Sequence, residues 1–447
     1  MKKITLVVLS LINLSHFLFA QEEAKRIDSL IMQYVDNADF TGSVLVAKGG
    51  NILLKKGYGY ANAEEKVTHT PNTVFNIASL TKTVTAALVL KLAEAGKLSL
   101  DDHLNKYDSS YPNGDQISIR QLLTHTSGIA NYTDDNNFRT MDQTKEVSLQ
   151  QMIAFFRDKP LDFGPGTKFR YSNSGYTMLG YIIEKVTAMS YAKALEGLIF
   201  KPLGMQQTSY GPPAEGKNLA KGYGMFYKNF TNAGPAVHPS ISYTTGAIYS
   251  TVEDLYKWHR ALQGDKFLSK GSLKAAYKKD RSAYGFGWFT DSLYGKGRVS
   301  HDGNISGFKA NINRIPEDDV CVVALSNANN SSVGRMVRDI MNILYHQPVS
   351  KTFAEQPVIA MAESVKQAFV GVYKFRQEDS SKIVVAQKDT TLYITINDQP
   401  EFTIEPVFKN QFKSGATRVE FMMNREGKPE QIIIYSKGEI AGGRKVQ

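Results

Sequence analysis

Asn76-Ile77-Ala78-Ser79-Leu80-Thr81-Lys82, followed by an apolar run from Thr83 to Leu92, is the stretch around which the 447-residue chain is organised. Val84, Leu88, Val89 and Leu92 recur at helical period among the good helix formers Ala86, Ala87, Ala93 and Ala95, so a helix is expected to begin beside Ser79. Residues three apart share a helix face, which lets Ser79 Oγ meet the Lys82 ammonium. Free N–H groups and a partial positive charge at the helix start suit a nucleophile and part of an oxyanion hole. Taken alone, Ser-x-x-Lys is common by chance and reads first as a helix cap beside a solvated lysine.

Working outward, Glu22 to Asn37 reads as an amphipathic helix. Gly42 to Lys48 and Ile52 to Tyr60 read as strands joined at Gly49-Gly50-Asn51. From Leu98 to about Gly234 the pattern is mainly helical, with segments at Ser118–Thr124, Leu149–Arg157, Tyr176–Thr187 and Tyr191–Ile199. Strand-like runs return at Tyr284–Thr290, Arg298–His301, Phe308–Arg314 and Asp319–Ser326, and a helix is expected over Val333–Tyr345. The fold class is therefore α+β: one antiparallel sheet built from both ends of this region, with the helical middle packed against it. A linker follows over 348–365, and the alternating runs of 366–447 read as a small all-β module.

Residues 1–20 carry a basic start, an apolar run from Ile4 to Phe19 and a small residue at Ala20, the form of a secretory signal. Export to the periplasm or the medium is expected, with no integral membrane anchor after processing and a main folded domain over 21–347. The lone Cys321 sits in an apolar run, which excludes a disulfide framework and makes thiol catalysis improbable. Net charge is +10, but the basic residues are dispersed, so nucleic-acid binding is not expected. The histidines are scattered, without paired-ligand spacing, so no metal is expected either.

Two further elements bear on chemistry. Phe169-Arg170-Tyr171-Ser172-Asn173 follows Phe163-Gly164-Pro165-Gly166, so Tyr171 and Asn173 are expected on a turn. A tyrosine perturbed by a neighbouring ammonium can take a serine proton, and Asn173 can offer its amide to a substrate carbonyl. Ser300-His301-Asp302-Gly303-Asn304 is expected where a strand reaches a glycine-punctuated turn. There Gly303 would admit a substrate backbone, and the Asn304 N–H would be a second oxyanion donor.

Ser79-x-x-Lys82, Tyr171-Ser172-Asn173 and His301-Asp302-Gly303 resemble, in order and approximate spacing, the motifs of the serine β-lactamase and penicillin-binding-protein superfamily. The chain looks most like the class C-related branch, with its D-Ala-D-Ala carboxypeptidases, D-aminopeptidases and esterases. Leu122 to Gly128, Pro202 to Met205 and Gly246 to Thr251 agree with that branch. The resemblance implies that Ser79 attacks a carbonyl while Tyr171, with Lys82, takes its proton, and that no cofactor is needed. It also implies that the Ser79 and Asn304 N–H groups hold the oxyanion. One departure stands out. Where true class C β-lactamases resemble Lys-Thr-Gly, this chain has His301-Asp302-Gly303, which disfavours β-lactam hydrolysis. The expected substrate is a small molecule or peptide, an amide near a D-amino acid such as a peptidoglycan fragment. The alternatives are small acyl esters, or slow acylation in a penicillin-binding sensor.

Overall fold

The computed structural model describes residues 21–213, 218–227, 229–279, 283–329, 331–349, 353–374, 382–397, 399–415, 417–424, 426–436 and 439–446. The expected export segment 1–20 lies outside them. The described residues form two compact units: one made of 21–24, 42–223 and 233–329, the other of 25–41, 224–232 and 330–446.

The first unit is built on a six-stranded antiparallel sheet in the order Phe289–Leu293, Lys296–Ile305, Phe308–Ile315, Val320–Ser326, Gly42–Lys48, Asn51–Tyr58. The early strand Gly42–Lys48 pairs with the late strand Val320–Ser326, with Val46 opposite Val322, so distant parts of the chain meet at the sheet centre. Both strands are near-continuous apolar runs because both of their faces are covered. Cys321 is one of those buried residues. The run Lys296–Ile305 continues as a strand through Gly303 instead of turning there; the turn is at Ser306 and Gly307, where Gly307 has φ +81°.

The helix Thr81–Glu94 is buried almost all round, from Thr81 through Leu90 and at Leu92, and so sits at the centre of the unit. Each fully buried Leu or Val contributes about 1.5–3 kcal/mol relative to exposure. Between the strands, the helices at Ile119–Leu123, Leu149–Ala154 and Asn173–Thr187 begin where Ser or Asn punctuates the sequence. Ser118 and Ser148 each form a capping box with a glutamine. The helix expected from Tyr176 starts three residues earlier, at Asn173, so Asn173 is a helix-opening residue and not a turn residue. The middle region, expected to be mainly helical, also holds short strands. Ser209–Tyr210 is a strand, as is Tyr223–Tyr227.

In the second unit, eight short strands from Gly371–Lys374 to Glu439–Lys445 close into an antiparallel barrel, the last pairing with the first at Tyr373 and Lys445. Closure removes the exposed edges that a sheet of short strands would otherwise offer. Alternate residues point inward, and Phe369, Tyr373, Phe412, Phe421, Ile432 and Ile434 fill the interior. The Tyr373 hydroxyl is satisfied by the Phe369 carbonyl at 2.8 Å. Elsewhere in this unit Tyr34 donates to Asp339 at 2.7 Å, and Arg418 holds both oxygens of Asp39 at 3.0 and 3.1 Å.

Candidate active site

Ser79 lies in a single 3-10 turn, Ala78–Leu80, that runs directly into the helix Thr81–Glu94. Ala78 is held at φ +47°, a left-handed conformation that costs an alanine about 1–2 kcal/mol. The Ala78 N–H is taken by Asn76 Oδ1 at 2.7 Å. The Ser79 N–H falls in the first turn, where no intrahelical acceptor exists, and so can serve an oxyanion.

One turn on, the Lys82 amine lies 3.3 Å from Ser79 Oγ and donates to the Thr245 carbonyl at 3.0 Å. It is also 5.0 Å from the centre of the Tyr171 ring. Lys82 is 0% exposed, and burial drives its pKa well below the usual lysine value. The Tyr171 hydroxyl hydrogen-bonds Ser79; burial raises its pKa, and the bond to Ser79 only partly offsets this. The expectation of a phenol activated by an ammonium is thus corrected. The environment favours a neutral amine beside a neutral phenol, with Lys82 the stronger base of the pair.

The strand Lys296–Ile305 passes in front of this turn. A Cβ at Gly303 would come within 2.4 Å of the Ile77 carbonyl oxygen and 3.1 Å of Ala78 Cβ. The glycine is therefore required by the chain's own approach to the Ser79 turn, whatever a substrate does there. The neighbouring strand Phe289–Leu293 pairs only with Lys296–Ser300, so among the described residues no strand pairs with 301–305 on that side and the edge is open. Asn304 is exposed on that segment and pairs with Lys309 on the other side.

His301 is not a surface residue. It is 1% exposed, its Nδ1 donates to the Asp302 carbonyl at 2.7 Å, and its Nε2 accepts from Tyr284 at 3.0 Å. Because a carbonyl only accepts, this tautomer follows from the partners. Burial is the leading cause that lowers its pKa to about 3. A histidine cation gripping a substrate carboxylate is therefore not what this position offers. Its ring supports the strand from behind, against Tyr284 and Phe289.

Asn173 opens the helix Asn173–Thr187, with its N–H donating to Asn131 Oδ1 at 3.0 Å. The sequence reading assigned no role to Thr245, Tyr284 or His125, all of which touch the central residues. Thr245 acts through its carbonyl, which no side-chain pattern could reveal. His125 lies within a stretch that carried the family resemblance and Tyr284 within an expected strand, yet their contacts depend on tertiary packing.

A serine in a strained turn, a buried lysine one turn on and a tyrosine hydroxyl on the serine, beside an open sheet edge, define a serine hydrolase of the β-lactamase fold. The Beta-lactamase family profile matches residues 27–345, and the chain belongs to that family. It is 29% identical over 445 residues to penicillin-binding protein 4* of Bacillus subtilis, covering 94% of this chain and 98% of the relative. The octameric penicillin-binding protein homologue from Pyrococcus abyssi superposes with a TM-score of 0.66 at 24% identity, covering 93% of this chain and 99% of that one. A D-stereospecific amidohydrolase from Streptomyces superposes with a TM-score of 0.58 at 25% identity, covering 69% of this chain and 96% of that one.

Proposed function

We propose that the protein hydrolyses amide or peptide bonds next to D-amino acids through an acyl-enzyme on Ser79, peptidoglycan-derived fragments being the natural substrate class. The observation that carries this reading is the Ser79–Lys82–Tyr171 cluster beside the open edge of residues 301–305. Ser79 Oγ attacks the carbonyl carbon and its proton passes to the Lys82 amine, directly or through Tyr171. The Ser79 N–H, with that of Asn304, holds the oxyanion. The C–N bond then breaks and the leaving amine takes the proton. Water repeats the sequence on the ester and frees the acid. An extended substrate would lie along the open edge as an added strand, with Asn173 close to its acyl side.

One observation favours a substrate without a free carboxylate at the strand. His301 is buried and neutral, where a lysine would reach a carboxylate. The Streptomyces relative, a D-stereospecific amidohydrolase, supports the D-amide class itself. Small esters remain the second reading, since Ser79 would attack them by the same route. Export through cleavage after Ala20 is part of the proposal, and N-terminal sequencing of released protein tests it.

The discriminating experiment compares turnover of D- and L-alanine nitroanilides and nitrophenyl esters by wild type and Ser79→Ala. Ser79-dependent cleavage with D over L supports the amidase reading. Ester cleavage without amide cleavage would move it to esterase, and full activity in Ser79→Ala would sink it.

A further inference from the structure

Tyr171 sits on a loop, so its position beside Ser79 has to be imposed from outside. The loop from Asp162 to Ser172 rests on the segment His125–Ile129. The Asp162 N–H donates to the Gly128 carbonyl and the Gly166 N–H to the Thr126 carbonyl, each at 2.8 Å. Ser172 Oγ donates to the Ile129 carbonyl at 2.9 Å. Those contacts would hold any loop. His125 does something more specific. Its carbonyl accepts from the Arg170 N–H at 3.0 Å, and its Nδ1 accepts from the Ser172 N–H at 3.1 Å. One residue thus takes the backbone donors on both sides of Tyr171. Its ring also lies 4.2 Å from the Tyr171 ring, tilted by 34°.

The backbone of His125 is bent to make this possible. Its φ is +57°, a left-handed value that few residues other than Gly, Asn, Asp and His adopt readily. Because Nδ1 accepts, the ring proton is on Nε2, a buried atom with no hydrogen-bond partner among the described residues. The residue is 1% exposed, and Tyr176 and Tyr284 lie against its ring at 5.0 and 4.7 Å. An unmatched buried donor and a left-handed backbone are local costs, and the bracketed residue they serve is the one hydrogen-bonded to the nucleophile.

We propose that His125 is a positioning residue that fixes the Tyr171 hydroxyl on Ser79 by accepting the backbone N–H of Ser172 while its own carbonyl accepts that of Arg170. The inference rests on the role given to Tyr171 above. Asparagine is the conservative replacement: its Oδ1 can stand where Nδ1 stands, and it tolerates the left-handed backbone. Phenylalanine keeps a ring and loses the acceptor. Glycine keeps the backbone freedom and loses the whole side chain.

The test is the rate at which a fluorophosphonate labels Ser79, followed by intact-protein mass on the full chain. In labelling, the Ser79 Oγ–P bond forms, the P–F bond breaks, fluoride leaves and the serine proton passes to the neighbouring base. The probe therefore reads Ser79 activation without a known substrate. His125→Phe and His125→Gly are expected to slow labelling by about 10–100-fold, the usual consequence of misplacing a catalytic group by about 1 Å. His125→Asn is expected to stay within about threefold of wild type. In the Tyr171→Phe background, His125→Gly is expected to add little.

Wild-type labelling by His125→Gly would overturn the proposal, as would His125→Asn slowing as much as His125→Gly. An equal slowing by His125→Gly with and without Tyr171 would assign His125 a role independent of Tyr171. If Tyr171→Phe itself labels at the wild-type rate, the reading of Tyr171 fails first, and the proposal with it. Should His125→Phe not fold, judged by thermal melting, the Asn and Gly pair carries the test.

Discussion

The interior of the barrel and the interior around Ser79 are equally buried and differ in almost everything else. The barrel encloses aromatic and branched side chains, and its one inward phenol, Tyr373, is satisfied by a nearby carbonyl. The region around Ser79 encloses Lys82, His125, His301, Tyr171, Tyr176 and Tyr284, all with shifted pKa values and with burial as the leading cause. Hydrophobic filling stabilises a fold, whereas burying titratable groups destabilises it and tunes their chemistry. The two regions therefore should respond in opposite ways to substitution.

The largest expected effect is at Lys82. Lys82→Met should lower turnover and Ser79 labelling by at least about 10³-fold, since the proton transfer alone contributes ~10²–10⁴-fold. It should also raise the melting temperature, by roughly 2–4 °C for each kcal/mol of burial cost removed. Loss of activity with a lower melting temperature would break the contrast between the regions. Tyr171→Phe comes next, with about 10²-fold lower turnover at nearly constant melting temperature.

Gly303→Ala tests the close approach behind the nucleophile. The added methyl meets the Ile77 carbonyl, so the strand or the Ser79 turn must shift, at a cost of about 1–3 kcal/mol and most of the activity. In the barrel, Phe421→Ala should cost about 3–5 kcal/mol in denaturant melts through the cavity it leaves. Turnover by the remaining folded protein should be unaltered. A matching fall in kcat would show that the barrel core contributes to catalysis.

The smallest effect is on pH-dependent stability. His69 and His301 have pKa values lowered by burial to about 4 and about 3, and His125 and His259 are lowered for the same leading reason. A histidine kept neutral in the fold titrates near 6.5 when unfolded, so the unfolded chain binds more protons below that pH. The stabilisation is complete above pH 6.5 and is lost as pH falls towards 4. Each group should remove about 1 kcal/mol between pH 6.5 and 5.5. A melting temperature flat over that interval would show that these histidines are not held neutral.

Much of this protein was legible in its residues. Spacing and order pointed to Ser79, Lys82 and Tyr171, which the structure brings together, and alternation pointed to the sheet and the all-β module, because period and punctuation are local properties. The serine hydrolase class follows from the same motifs, since their residue types already carry the chemistry. The tertiary structure decided the rest, and the reason is burial. Only packing shows that Lys82 loses solvent, that His301 turns inward to Tyr284 and that Gly303 faces the chain's own Ile77 carbonyl. Only packing brings His125 to both sides of Tyr171, a residue 46 positions later in the sequence. A sequence names the groups; the desolvation and the long-range hydrogen bonds that set their protonation exist only once distant segments close around them.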